Sequence, residues 1–295
     1  MPREPEPSLN ERQFILQALE DNLRLDGRGF DDARDVEITF GDAYGSVDVQ
    51  MGKTRVLATI SCSLSPPSPP RPFDGIFTLT TEFSPMATPT VDPSRPSPPE
   101  TLLARLLDKT LRRSAALDTE SLCLLAGKSV WAICCDLHIL SHGGGLLDAC
   151  CVAALAGLLH FRRPEVSVEG EKVTIYSAEE RAPVPLSLLH LPFCVTFSIF
   201  GIRSGEEEAV LLDADRAEEG VREGAVTVGV NRHGEVCQIA KLGGREVDAL
   251  ELLRCVGVAE GRAKVLDGIV RRRVGEEERR RDGGRGKVLS AENER

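Results

Sequence analysis

The chain has 295 residues, of which 41% are hydrophobic and 28% charged, and a formal net charge of −10. This is a globular composition, long enough for two domains. The acidity argues against a freestanding nucleic-acid binder, which usually carries a basic domain, but leaves room for a local basic patch. No apolar run approaches the ~20 residues that cross a membrane. The N-terminus, MPREPEPSLNER, is charged and proline-bearing rather than a secretory signal, so an intracellular protein with no membrane partner is expected.

Residues 9–22 (LNERQFILQALEDN) read as an amphipathic helix with Phe14, Ile15, Ala18 and Leu19 on one face. A polar stretch, LRLDGRGFDDARD, follows. Three β-rich runs come next, VEITF (36–40), SVDVQM (46–51) and TRVLATISCSL (54–64), punctuated by Gly41, Gly45 and Gly52. They predict an antiparallel meander. The proline-rich SPPSPPRPFDG (65–75) is an insertion between strands or a polyproline recognition motif. IFTLTTEFS (76–84) is a further strand, and PMATPTVDPSRPSPPE (85–100) a long loop.

The clearest helix is predicted over 100–116, started by Ser97 or by Pro98 and Pro99. Leu102, Leu103, Leu106, Thr110 and Leu111 share one side. Arg105, Lys109, Arg112 and Arg113 form a basic stripe on the other. A buried strand (128–140) leads through Gly143, Gly144 and Gly145 into an almost wholly apolar helix (146–161), which belongs in the centre of a domain. A hairpin turns at Gly170–Glu171. From about Pro192 the order is strand, strand, helix, hairpin at Asn231–Gly234, and a last helix over 246–271. The charged tail is predicted to fray into disorder after about residue 275.

Strands followed by helices, twice, with hairpins and no regular β-α-β alternation, give an α+β fold. The domains expected are an N-terminal helix and arm (1–29), a first unit (30–185), a smaller second unit (186–272) and a disordered tail (273–295). The nine cysteines form no C-x-x-C pair and sit mostly in apolar runs. They read as buried thiols in a reducing compartment, and no metal site has the spacing to support it.

Three long strings together resemble the RNase PH family. They are LRLDGRGFDDAR with YGSVDVQMGKTRVLATIS, the central LLDKTLRRSAALDTESLCLLAGKSVWAICCDLHILSHGGGLLDACCVAALAGL, and LLDADRAEEGVREGAVTVGVNRHGEVCQIAKLGG. The resemblance runs from about residue 9 to 272. DTESLC, CDLH, FRRPEVSV and EERAPVPLSLLH make it most similar to the non-catalytic ring subunits of the eukaryotic exosome. It implies the RNase PH fold, with a ribosomal-protein-like β-α-β-α first domain and a smaller β-α-β-β-α domain. The implied partners are other RNase PH-like subunits in a hetero-oligomeric ring, RNA-binding cap subunits, exoribonucleases docked to the ring, and single-stranded RNA passing to those nucleases. No cofactor is implied.

Phosphorolysis needs strong donors for phosphate, a general acid for the leaving oxygen and cations for the RNA backbone. A glycine-rich turn opening a helix supplies part of the first requirement. By the resemblance, Gly144 and Gly145 keep the turn, while Leu146 and Leu147 stand where active relatives place Thr and Arg. The lost catalytic Asp falls near Pro183. Glu179 and Glu180 read as surface charges paired with Arg181, and the five scattered histidines form no catalytic group. Asp148, in the helix's first turn, suits the dipole and would repel phosphate. No catalytic residue is therefore expected. The basic stripe either reaches RNA, as the family suggests, or pairs with Asp108 and Glu100. Arg95 and the pair Arg162–Arg163 are weaker RNA candidates, the pair alternatively capping the central helix. The reading is an inactive ring subunit supporting 3′-to-5′ RNA degradation and processing, including rRNA maturation and mRNA turnover, in nucleus, nucleolus and cytoplasm. The alternatives are an active phosphate-dependent exoribonuclease and a protein scaffold without RNA contact.

Overall fold

The computed structural model describes residues 7–88, 97–170, 172–177, 180–201 and 208–293, with side chains to Asp282 in the last segment. Arg95, Glu171 and Glu179 lie outside the described residues.

Helix α1 (Leu9–Glu20) begins with a capping box. Ser8 and Glu11 each bond the other's backbone N–H. Ile15 and Leu19, one turn apart, bury against Phe200, Ala209, Leu211 and Val221 of the second unit. Phe14, expected on the same face, is 62% exposed and lines a groove of about 910 Å³ between the helix and the glycine turn. Arg24 fixes the arm further. Its side chain is fully buried and bonds Glu218 at 3.1 and 2.8 Å, with the carbonyls of Leu212 and Asp213 on its remaining donors.

The first sheet contains β1 (Val36–Phe40), β2 (Ser46–Met51), β3 (Thr54–Ser65), β4 (Ile76–Phe83), β5 (Cys123–Leu125) and β6 (Ser129–Ser141). Its order is β1-β2-β3-β6-β4, with β5 also on β6. The first three strands form the expected antiparallel meander, whereas β4 lies parallel to β6. Side-chain alternation sets the register: Val47, Val49, Val56, Ala58 and Ile60 face inward, and Arg55, Thr59 and Ser61 face out.

Helix α2 (Pro98–Leu111) and helix α3 (Leu146–His160) cover the inner face. Helix α3 packs against β2 and β3 on one side and against the second unit on the other, which is why nearly every residue along it is apolar. After it, β7 (Arg162–Arg163) pairs with β10 (Val184–Pro185), and β8 (Val166–Glu169) with β9 (Lys172–Ile175). The second unit has β11 (Phe193–Gly201), β12 (Glu208–Leu212), α4 (Arg216–Glu219), β13 (Gly224–Val230) and β14 (Val236–Gly243). Its antiparallel sheet runs β12-β11-β13-β14. One continuous hydrophobic core joins the two units.

Helix α5 (Ala249–Asn293) overturns the expected disorder after residue 275. Leu266, Val270 and Val274 are buried at four-residue spacing. Arg281 then donates to the carbonyls of Gly41 and Asp42, and its guanidinium lies 4.6 Å from the centre of the Tyr44 ring. Glu278 pairs with Arg162. The buried apolar stripe ends at Val274, and beyond it Arg281 carries the contact with the first sheet through its guanidinium group.

Arg24→Ala leaves Glu218 charged and buried without its partner. The expected loss is about 3–5 kcal/mol in urea unfolding, with a smaller loss once Glu218→Gln is added.

Candidate functional site

The glycine turn sits at the seam between the units. Gly144 and Gly145 adopt φ of +90° and +63°, and Gly145 is the N-cap residue of α3. A side chain at Gly144 would meet the Ala214 carbonyl at 2.4 Å, and one at Gly145 would meet the Asp213 carboxylate at 2.6 Å. Both positions therefore require glycine for conformation and for close approach.

The amides of the turn already have partners inside the chain. Gly143 N–H donates to the Thr54 hydroxyl at 3.1 Å, Gly144 N–H to His142 Nδ1 at 3.3 Å, and Gly145 N–H to Glu219 Oε1 at 3.2 Å. Arg34, the cation nearest the turn, bonds the carbonyls of Gly143 (2.8 Å) and Gly144 (3.0 Å) and the Asp213 carboxylate (2.5 Å). A carboxylate of the protein thus stands on the helix N-terminus where an external anion would bind. Burial raises the Glu219 pKa, opposed by Arg222, the Gly145 N–H and Arg34; Arg222 lies 3.3 Å away.

Leu146 and Leu147 face a cavity of about 190 Å³ together with Phe83, Leu102, Leu106 and Thr196. The lining also holds Thr227, His142 and Arg222, but the Arg222 guanidinium is paired with Glu219, and the two leucines offer a phosphate no donor. Burial holds His142, on the same wall, down at about 4, with Arg216 and Arg222 adding to the shift, so it is a neutral acceptor.

Asp148, in the first turn of α3, does not line this cavity. It points into the seam and accepts from Thr196 N–H at 2.9 Å and the Thr196 hydroxyl at 2.7 Å, and that hydroxyl also meets Thr227 at 3.1 Å. Burial pushes its pKa up to about 7 against those two hydrogen bonds. Pro183 immediately precedes β10, which pairs with β7 just after the C-terminus of α3. The glycine turn is at the other end of that 15-residue helix, about 22 Å away at 1.5 Å per residue. Arg181 pairs with Glu165 at 2.9 Å, while Glu180 accepts from Ser177 N–H.

The basic stripe divides. Helix α2 starts at Ser97 as expected but ends at Leu111, making Arg112 its C-cap and placing Arg113 beyond it. Both turn back to Asp108, at 2.5 and 3.8 Å. Glu100 is engaged at the other end, accepting from Ser97 N–H (2.7 Å) and Phe83 N–H (2.9 Å), so it is not a partner of the stripe. Arg105 and Lys109 are exposed and have no ion-pair partner among the described residues. Leu102, expected inward, is 43% exposed. Arg162 bonds the carbonyls of Leu159 and Phe161 and caps α3, and Arg163 bonds Ser121 O.

No three His, Cys, Asp or Glu residues among those described form a metal cluster, and the cysteines are free thiols. No helix of the described residues is long and apolar enough to cross a membrane.

Residues 32–164 match domain 1 of the 3′ exoribonuclease family, RNase PH, and residues 190–262 match its domain 2. The chain belongs to this family. It is 44% identical to the exosome complex component rrp45 of Schizosaccharomyces pombe over 299 residues, spanning all of both chains. It is 46% identical to the exosome complex component RRP45 of Saccharomyces cerevisiae, covering 86% of this chain and 87% of that one. Among solved structures, the Archaeoglobus fulgidus exosome with RNA bound to the active site is similar at a TM-score of 0.76. It shares 30% identity, covering 88% of this chain and 97% of that one.

Two predictions follow from the seam. Wild-type chain shows no saturable binding of inorganic phosphate in phosphorus NMR titrations, whereas Glu219→Ala, which frees the Gly145 N–H and Arg222, binds it weakly, on the order of millimolar. A silent Glu219→Ala variant would show that this carboxylate does not fill the anion position. The second concerns pH. Asp148 titrates higher folded than unfolded, so its contribution to stability is present below about pH 4 and lost as pH rises to about 7. His142 and His160, both lowered to about 4, act oppositely over the same range. The difference between wild type and Asp148→Asn isolates the aspartate: the variant gains relative stability as pH rises from 4 to 7.

Proposed function

We propose that this chain is a non-catalytic subunit of an exosome-type ring that contributes Arg105 and Lys109 of α2 to the path of single-stranded RNA. The observation that carries the inactive reading is the occupied glycine turn: Glu219 on Gly145 N–H, with Leu146 and Leu147 in front. Phosphorolysis needs an anion held by cations and N–H groups. Here the amides are bonded internally and Arg34 is committed to Asp213 and two carbonyls.

The ring reading rests on the relatives named as exosome components. Its neighbours are then other RNase PH-like subunits, with RNA-binding caps and docked exoribonucleases supplying entry and hydrolysis. The pools of such a protein are nuclear, including nucleolar, and cytoplasmic. The RNA reading rests on α2, where Arg105 and Lys109, without an ion-pair partner among the described residues, lie one turn apart on an exposed face.

The test uses rings reconstituted with wild-type chain or with Arg105→Glu and Lys109→Glu together. Filter binding of single-stranded RNA across a salt series is expected to weaken, with the log–log salt slope flattening by about 1.4 for two lost contacts. Unchanged affinity and slope would leave the chain a scaffold without RNA contact. Release of nucleoside diphosphates from poly(A) by the purified chain in phosphate would make it an active enzyme.

A further inference from the structure

The loop between β3 and β4 takes no part in the site above. It leaves the sheet at the end opposite the glycine turn, since Ser65 pairs with Val130 at the start of β6 and the turn follows Ser141 at its end. Its base is pinned by Gly75 N–H on Thr119 O at 2.8 Å and Gly127 N–H on Pro72 O at 3.0 Å. Its tip, residues 66–71, makes two backbone hydrogen bonds, both within the loop: Arg71 N–H on Ser68 O at 2.9 Å and Asp74 N–H on Arg71 O at 3.4 Å. The four prolines of the tip have no N–H to bond.

We propose that Ser68 is a phosphorylation site for a proline-directed protein kinase. Five Ser-Pro or Thr-Pro steps begin at described residues, and the structure separates them. Ser65 is held in β3, its hydroxyl on Pro66 O. The Ser84 hydroxyl accepts from Met86 N–H. Thr88 is buried. Ser97 is the α2 cap, its hydroxyl engaged by Glu100, with that acid three residues on. Ser68 alone among them is exposed, free of a side-chain hydrogen bond and followed at the third position by a cation, Arg71, whose side chain is 76% exposed.

The chemistry matches the loop. Proline after the acceptor serine offers no N–H, so it enters an apolar pocket without leaving a donor unsatisfied. Arg71 supplies a charge-assisted contact to an acidic or phosphorylated group of the kinase. In the transfer, Ser68 Oγ forms a bond to the γ-phosphorus of ATP, the bond to the β,γ-bridging oxygen breaks, ADP leaves, and the hydroxyl proton passes to the kinase's carboxylate base. The added charge, about −1.5 to −2, lies beside Arg71. That guanidinium now pairs with Asp74 at 3.6 Å and gains a second, more highly charged partner in the same loop. A loop whose two formal charges cancel becomes anionic at its tip.

The experiment incubates the full-length folded chain with a proline-directed serine/threonine kinase and ATP and maps the phosphate by peptide mass spectrometry. Modification of Ser68 is expected, abolished in Ser68→Ala and slowed about tenfold in Arg71→Ala, the loss of one charge-assisted contact. Phosphate on Ser65, Ser84 or Ser97 with Ser68 unmodified overturns the assignment. So does an unmodified folded chain when a peptide of residues 62–76 is labelled, or an Arg71→Ala rate equal to wild type. None of these outcomes bears on the glycine turn or on α2.

Discussion

Asp213 is the group on which the seam of this molecule depends. It is 2% exposed and sits in a left-handed conformation, φ +49°. Its carboxylate takes the Arg34 guanidinium at 2.5 Å, the Arg34 N–H at 2.9 Å and Arg28 at 3.2 Å, and its carbonyl takes Arg24 and Arg28. Burial works against its charge, but the Arg34 bonds and charge, helped by Arg28, outweigh that and hold the carboxyl below its usual range. Through Arg34 the same cluster reaches the glycine carbonyls. One acidic residue thus ties the N-terminal arm, the first sheet's last turn and the second unit together. Removing it would strand two arginines in a part-buried space.

That cluster accounts for the glycines by packing alone. Their left-handed geometry and the 2.4 Å approach to the Ala214 carbonyl are demands of packing between the units. Phosphate binding would make a further demand, for donors facing outward. The seam instead consumes its own donors: Arg34 on Asp213, Arg24 on Glu218, Arg222 and Gly145 N–H on Glu219. A turn can keep the backbone of an anion cradle because the fold needs it, while internal carboxylates fill the electrostatic vacancy.

Period-two alternation made the first meander legible, and unbroken apolarity made α3 legible, because each pattern reflects which faces are covered. Ser97 announced the start of α2, since its capping box with Glu100 is local in sequence. Glu219 was not legible. It lies 74 residues from Gly145, and only the folding of α4 against the turn joins them. Nor was it legible which end of α3 the Pro183 segment meets: aligning motifs gives order along the chain, not which end of a helix a strand lies against. The tail was misread because its composition is polar, and its contacts run through Arg281 on Gly41 and Asp42 and Glu278 on Arg162, far apart in sequence.

The distribution of cations bears on how an acidic chain could touch RNA at all. Its net charge of −10 repels a polyanion beyond contact range, where only the summed field matters and salt screens it within about 8–10 Å. Arg24, Arg28, Arg34 and Arg222 in the seam pair with carboxylates there, and Arg112 and Arg113 return to Asp108. Arg105 and Lys109 are the α2 cations that remain, and two phosphate contacts cannot retain a strand alone at physiological salt. In the ring proposed above, RNA retention would come from confinement, with neighbouring chains supplying further cations around the same strand. Affinity in such an arrangement belongs to the assembly, and a subunit needs only to present a short cationic face at the right place, with no cradle of its own for phosphate.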